Sequence, residues 1–107
     1  MKAKRMMSVK IYALTDVEGS VFYVGQTFGP VEDRLRSHVC QARRNARFCE
    51  RKTAKIVSLE YRVNVLVLDV VMVKNRKEAL KEELKWIQHY LNTGVQLVNR
   101  EAVKKVA

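Results

Sequence analysis

Two tyrosines, Tyr12 and Tyr23, an arginine, Arg34, a histidine, His38, and a glutamate, Glu83, are of the types that work on phosphate esters. An arginine reads phosphate through a planar fork of donors that stays charged at any ordinary pH. A carboxylate is the hard oxygen ligand that Mg²⁺ takes together with water and substrate phosphate. A phenol or imidazole near the attacked atom can hold or move a proton. Each type also has a bland use, so the elements that carry these residues decide whether they meet.

Val9 to Leu14 (VKIYAL) and Val21 to Gln26 (VFYVGQ) read as strands, with Asp16-Val17-Glu18-Gly19-Ser20 as the turn of a hairpin. Side chains alternate along a strand, so the register decides whether the two tyrosines share a face. A turn centred between Val17 and Glu18 sets Tyr12 opposite Tyr23. A turn centred at Glu18-Gly19 makes them diagonal on the same face, and an odd-length loop separates them. In either even-loop register the two phenols project together, and as an isolated pair they could equally be an aromatic contact that only packs.

Gly29-Pro30 opens a first helix, with Pro30 suited to its first position and Glu32 and Asp33 complementing its dipole, and the helix runs to about Arg44. Val31, Leu35, Ala42 and Val39 supply its apolar stripe. Arg34 and His38 are about 40° apart around the axis and so share a face, whereas Arg36 lies roughly 200° from His38. Taken singly, Arg34 is a solvated helix residue and His38 a half-buried filler. Asn45 interrupts, and a second helix covers roughly Glu50 to Leu59. Val63 to Val73 (VNVLVLDVVMV) is rich in β-branched residues and reads as a central strand.

Asn75 and Glu78 form a capping box for a third helix that reaches Leu91 and stops at Asn92-Thr93-Gly94. Leu80, Leu84, Ile87 and Leu91 make its apolar stripe, which puts Glu82 on the solvent side and Glu83 on the border, about 60° from Leu80. Glu83 is therefore the carboxylate able to face a neighbouring element and to hold Mg²⁺; as an isolated glutamate it pairs with Lys81 or Lys85. Val95 to Asn99 follows as a short strand or extended segment. The order ββ-α-α-β-α, plus that segment, describes an α/β (α+β) fold. Its small, mainly antiparallel three-stranded sheet is flanked by helices in a single domain over 1–107, with basic tails at 1–7 and 100–107.

Lys and Arg total 21 against 11 Asp and Glu, a formal net charge of +10 in 107 residues. That excess points to a polyanionic partner bound through its phosphates. Arg43, Arg44, Arg47, Arg51, Lys52 and Lys55 cluster after the first helix and could continue a phosphate-binding surface, with Lys10 and Arg36 added from elsewhere. Cys40 and Cys49 lie nine positions apart without a CxxC partner and read as reduced thiols. The apolar run at Val63 to Val73 is broken by Asn64 and Asp69 and is too short to span a bilayer. No secretion signal precedes the domain, so a cytoplasmic protein with no membrane partner is expected.

Ile11-Tyr12 and Tyr23-Val24-Gly25, eleven residues apart from tyrosine to tyrosine, resemble the two halves of the GIY-YIG nuclease motif. Glu32-Asp33-Arg34-Leu35 with His38 is similar to that family's arginine helix. Glu83, three residues before Trp86-Ile87, resembles its metal-binding glutamate, and Asn99 the asparagine near the end of its domain. The match runs from about Lys10 to Asn99. Lys10 replaces the namesake glycine and Val24 an isoleucine.

The resemblance implies a metal-dependent DNA endonuclease with one Mg²⁺ or Mn²⁺ held by Glu83. Tyr12 would be the general base, helped by a cationic neighbourhood (Lys10, Arg34, the metal) that lowers its pKa. Arg34 would bind the phosphate, Tyr23 and His38 would orient the reactants, and Asn99 would brace the site. It implies DNA as partner, branched or otherwise structured, with a homodimer or a tethering protein as routes to double-strand cutting or targeting. A non-catalytic basic nucleic-acid-binding module is the competing reading.

Overall fold

A strand buried on both faces needs nonpolar or small residues at every position, and Val9 to Thr15 supplies them almost without interruption. In the computed structural model, which describes residues 6–44 and 51–99, this strand is the middle of the sheet. β1 (Met7–Thr15) pairs antiparallel with β2 (Val21–Thr27) on one side and with β3 (Asn64–Val73) on the other, in the order β2-β1-β3. The helices are α1 (Val31–Arg44), α2 (Arg51–Ser58) and α3 (Arg76–Asn92). The expected class and element order hold. The expected central strand does not: β3 is an edge, and it leaves Leu66, Val67, Val70 and Met72 exposed. Its β-branched composition signals extended backbone, which edge and central strands share.

The hairpin is closed by its own side chain. The Asp16 carboxylate accepts from the N–H groups of Glu18 and Ser20, both at 2.9 Å, and Gly19 takes the left-handed φ of +88° that closes the turn. Two bulges then re-aim side chains. Leu14 pairs with Tyr23 but Thr15 with Val21, so Phe22 is the extra residue on β2. It packs with Tyr12, Leu14 and Tyr23. Ile11 pairs with Asp69 but Tyr12 with Val67, so Leu68 is the extra residue on β3, and it packs with Ile11.

The sheet thus has two distinct sides. Tyr12, Leu14 and Phe22 pack with Val31 and Ala42 of α1 and Ile56 of α2. Val9, Ile11 and Val24 pack with Ala79 and Ile87 of α3. The ends of α1 and α2 are tied where the Arg43 guanidinium lies 4.4 Å from the centre of the Tyr61 ring. The break at Asn45, the start of the second helix at Glu50, and Arg47 and Cys49 lie outside the described residues. Cys40 is exposed and forms no disulfide among the described residues. None of the described helices is long and apolar enough to cross a membrane.

α3 begins as its sequence requires, with the Asn75 side chain accepting from the Glu78 N–H at 3.0 Å. The Glu78 carboxylate answers one residue early, accepting from the Lys74 N–H at 2.8 Å instead of from that of Asn75. Beyond the helix, Val95 to Asn99 is extended and runs beside β2, where the Val98 N–H donates to the Phe22 carbonyl at 2.8 Å. Asn99 then mimics a strand: its Oδ1 accepts from the Val24 N–H at 3.0 Å and its Nδ2 donates to the Val24 carbonyl at 2.7 Å. Removing that buried side chain leaves two backbone groups without partners. Asn99→Ala is expected to lose about 2–4 kcal/mol of stability, read from urea unfolding.

Candidate active site

The hairpin register is the one that makes the tyrosines diagonal: Tyr12 pairs with Gly25, and Leu14 with Tyr23. Their ring centroids are 6.4 Å apart on one face. Tyr12 leans across the strand pair onto its glycine partner. A Cβ at Gly25 would sit 2.5 Å from the Tyr12 Oη and 2.6 Å from its Cζ, inside any contact that real atoms make. The close approach therefore requires a residue with no side chain at this position.

α1 brings its imidazole to the same point. His38 Nε2 is 2.7 Å from the Tyr12 Oη, and the His38 ring meets the edge of Tyr23 at 5.2 Å. His38 is buried outright, only 1% exposed, rather than half-buried at the edge of the core. Burial first, then the charges of Lys52 and Arg34, lower its pKa to about 3, so the ring is neutral at pH 7. Tyr12 moves the opposite way. Its pKa is raised, because burial outweighs the Arg34 guanidinium, which lowers it by hydrogen bonding and by charge, and the Glu83 charge adds to the rise. The cationic neighbourhood expected to favour phenolate does not prevail in the protein alone. A protonated phenol and a neutral imidazole share one hydrogen between Oη and Nε2, and the imidazole tautomer sets which of them donates. His38 Nδ1 is buried and has no hydrogen-bond partner among the described residues.

α3 differs from expectation in a way that favours Glu83. Leu80 is exposed, and the buried row is Ala79 and Ile87 with Glu83 between them, each step turning about 40° around the axis. Glu83 is in line with that buried row and is half-buried. Glu82 is also partly covered, its side chain 28% exposed and 3.4 Å from Lys85, not on the free solvent side. α3 packs on the other face of the sheet from α1, and the charges of Glu83 and Arg34 both act on the Tyr12 phenol.

The basic residues divide. Lys52 of α2 belongs to the centre, its Nζ lying 5.4 Å from the middle of the Tyr23 ring. Lys55 lies 5.9 Å over Phe22. Lys10, in place of the motif glycine, donates from Nζ to the Gly29 carbonyl at 3.4 Å and so tethers the loop before α1. Arg36 points away and pairs with Asp33 at 3.0 Å, while Arg43 is engaged by Tyr61. Arg44 and Arg51 are exposed, and Arg47 lies outside the described residues.

Sequence reasoning placed Lys52 only on an outer surface. Its approach to Tyr23 depends on how α2 docks, which no local spacing encodes. Among the described residues no cluster of three His, Cys, Asp or Glu could hold a metal ion. A concavity of about 500 Å³ lies at the hairpin turn, with Phe22 and Lys55 in its wall. Residues 9–96 match the family model of the GIY-YIG catalytic domain, and no curated protein or solved structure matches the chain.

Gly25→Ala is expected to displace the Tyr12 ring and cost about 1–3 kcal/mol in urea unfolding. The pH dependence follows from His38. Its unfolded pKa of 6.5 exceeds the folded value of about 3, so the unfolded chain binds more protons between those limits. Stability contributed by neutral His38 is complete above pH 6.5 and falls as pH drops toward 3. His38→Gln should show a shallower decline of the urea midpoint across that window.

Proposed function

The chain belongs to the GIY-YIG catalytic-domain family, a family of nucleases, and from that premise we propose that it is a metal-dependent DNA endonuclease. The observation that carries the reading is the buried Tyr12 hydroxyl, 2.7 Å from the His38 Nε2, with the Arg34 and Glu83 charges acting on the same oxygen. A module that only bound nucleic acid would gain little from a half-buried carboxylate among its phosphate contacts.

In this reading Arg34 and Lys52 hold the scissile phosphate over the tyrosine pair, and Arg34 stabilises the charge that grows on it in the transition state. Tyr12 takes a proton from the attacking water while its own hydroxyl proton passes to His38. Bound phosphate offsets the Arg34 and Lys52 charges that help depress His38, so the imidazole accepts protons more readily in the complex than in the free protein. Tyr23 confines the ring of Tyr12 and the imidazole, and Asn99 fixes β2 behind them. Glu83 suits Mg²⁺ or Mn²⁺, because such ions bind through one or two carboxylates and complete their shell with water and phosphate. A divalent ion there would polarise the phosphate and stabilise the leaving oxygen. Glu83 so paired would no longer raise the pKa of Tyr12.

Supercoiled plasmid with Mg²⁺ or Mn²⁺ should be nicked or linearised by the wild type. EDTA, Glu83→Ala and Arg34→Ala should each abolish cutting, by a factor on the order of 10²–10³ for the arginine. Cutting should rise with pH above neutrality as Tyr12 more readily gives up its proton, and Tyr12→Phe should remove that rise. Equal nicking by wild type and Glu83→Ala would overturn the proposal.

A further inference from the structure

A concavity at the tip of the hairpin is unexplained by the tyrosine site. It is a groove of about 500 Å³, walled by Ser20, Phe22, Lys55, Tyr90 and Gln96. Its size falls within the range of small-molecule sites, roughly 300–1,000 Å³. Lys55 is half-buried at its wall and makes no ion pair among the described residues. The acid that lines the groove, Asp16, has one carboxylate oxygen committed to the Glu18 and Ser20 N–H groups. A half-buried lysine that lines an open groove and makes no ion pair among the described residues can receive an anion.

The position of that ammonium identifies the anion. Lys52 and Lys55 are three residues apart on α2, hence neighbours on one face with Cβ atoms roughly 5–6 Å apart. The Phe22 bulge brings two successive residues of β2 to the same side, so Lys52 stands over Tyr23 and Lys55 over Phe22. The two cations follow the strand in single file, one at the tyrosine pair and the next at the groove. Their separation is of the order of one phosphate step along a nucleic acid strand. The far wall adds the Tyr90 ring, and the Ser20 hydroxyl and Gln96 amide can meet the edge of a base.

We propose that this groove holds the nucleotide next to the scissile phosphate, with Lys55 on its phosphate and its base against Tyr90. The inference rests on the nuclease reading for its biological ligand, but its test does not use cleavage. The Trp86 and Tyr90 ring centroids are 6.3 Å apart, and Trp86 is the sole tryptophan, so its emission reports on the groove. Thymidine 5′-monophosphate, titrated in EDTA into the Glu83→Ala chain, should change that emission saturably, with calorimetry giving the affinity.

Thymidine without its phosphate should bind roughly tenfold or more weakly, Lys55→Gln should lose a similar factor, and Lys55→Arg should restore it. Unchanged affinity in Lys55→Gln, with native circular dichroism, or equal binding of thymidine and its monophosphate would overturn the assignment. Such a result would leave plasmid cutting by the wild type untouched. Conversely, a chain that binds the nucleotide but never cuts plasmid would keep the groove and lose the nuclease reading.

Discussion

A phenol oxygen lying where a side chain would otherwise begin is the contact on which the rest of the molecule depends. The Tyr12 hydroxyl can reach His38 because Gly25 lets its ring fold across the neighbouring strand. That 2.7 Å hydrogen bond pins α1 to the sheet through a polar contact inside an otherwise apolar layer. The hydrogen bond between them offsets part of the cost of burying a hydroxyl and an imidazole. The Asn99 clamp on Val24 holds the residue just before Gly25, so the brace and the close approach act on consecutive positions of β2.

The electrostatics follow from the two-sided sheet. Cations arrive from the helices on one side, Arg34 from α1 and Lys52 from α2, and the carboxylate arrives from α3 on the other. Burial holds Tyr12 protonated and His38 neutral, which leaves the site in a resting state set by desolvation. Both groups are poised to respond when opposite charges enter from either side, a phosphate against the cations or a cation against Glu83. A pair whose proton affinities are pushed apart by burial is a common arrangement for acid–base work.

Local chemistry was readable in the sequence where it depended on short-range geometry. The turn at Asp16–Ser20, the shared face of Arg34 and His38, and the Asn75 cap all follow from spacing of five residues or fewer. The central strand was misassigned because β-branched residues report on backbone shape, while position in the sheet depends on what covers each face. Leu80 was placed in the packed stripe because it is apolar. The small Ala79 won that place because it fits against Val9 and Val73. The depth of His38 and the arrival of Lys52 at Tyr23 belong to helix docking over long separations, which no window of sequence contains.

The bulge at Phe22 shows how a local irregularity sets function at a distance. A regular strand would send Phe22 to the α3 side with Val24, and α2 would then have one aromatic residue of β2 beneath it instead of two in succession. With the extra residue, Tyr23 and Phe22 both lie under α2, and its lysines at i and i+3 each have a ring beneath them. The formal charge of +10 is by itself a statement about attraction to any polyanion. Along β2 the inserted residue gives that charge a local order, with Lys52 over Tyr23 and Lys55 over the next ring, Phe22.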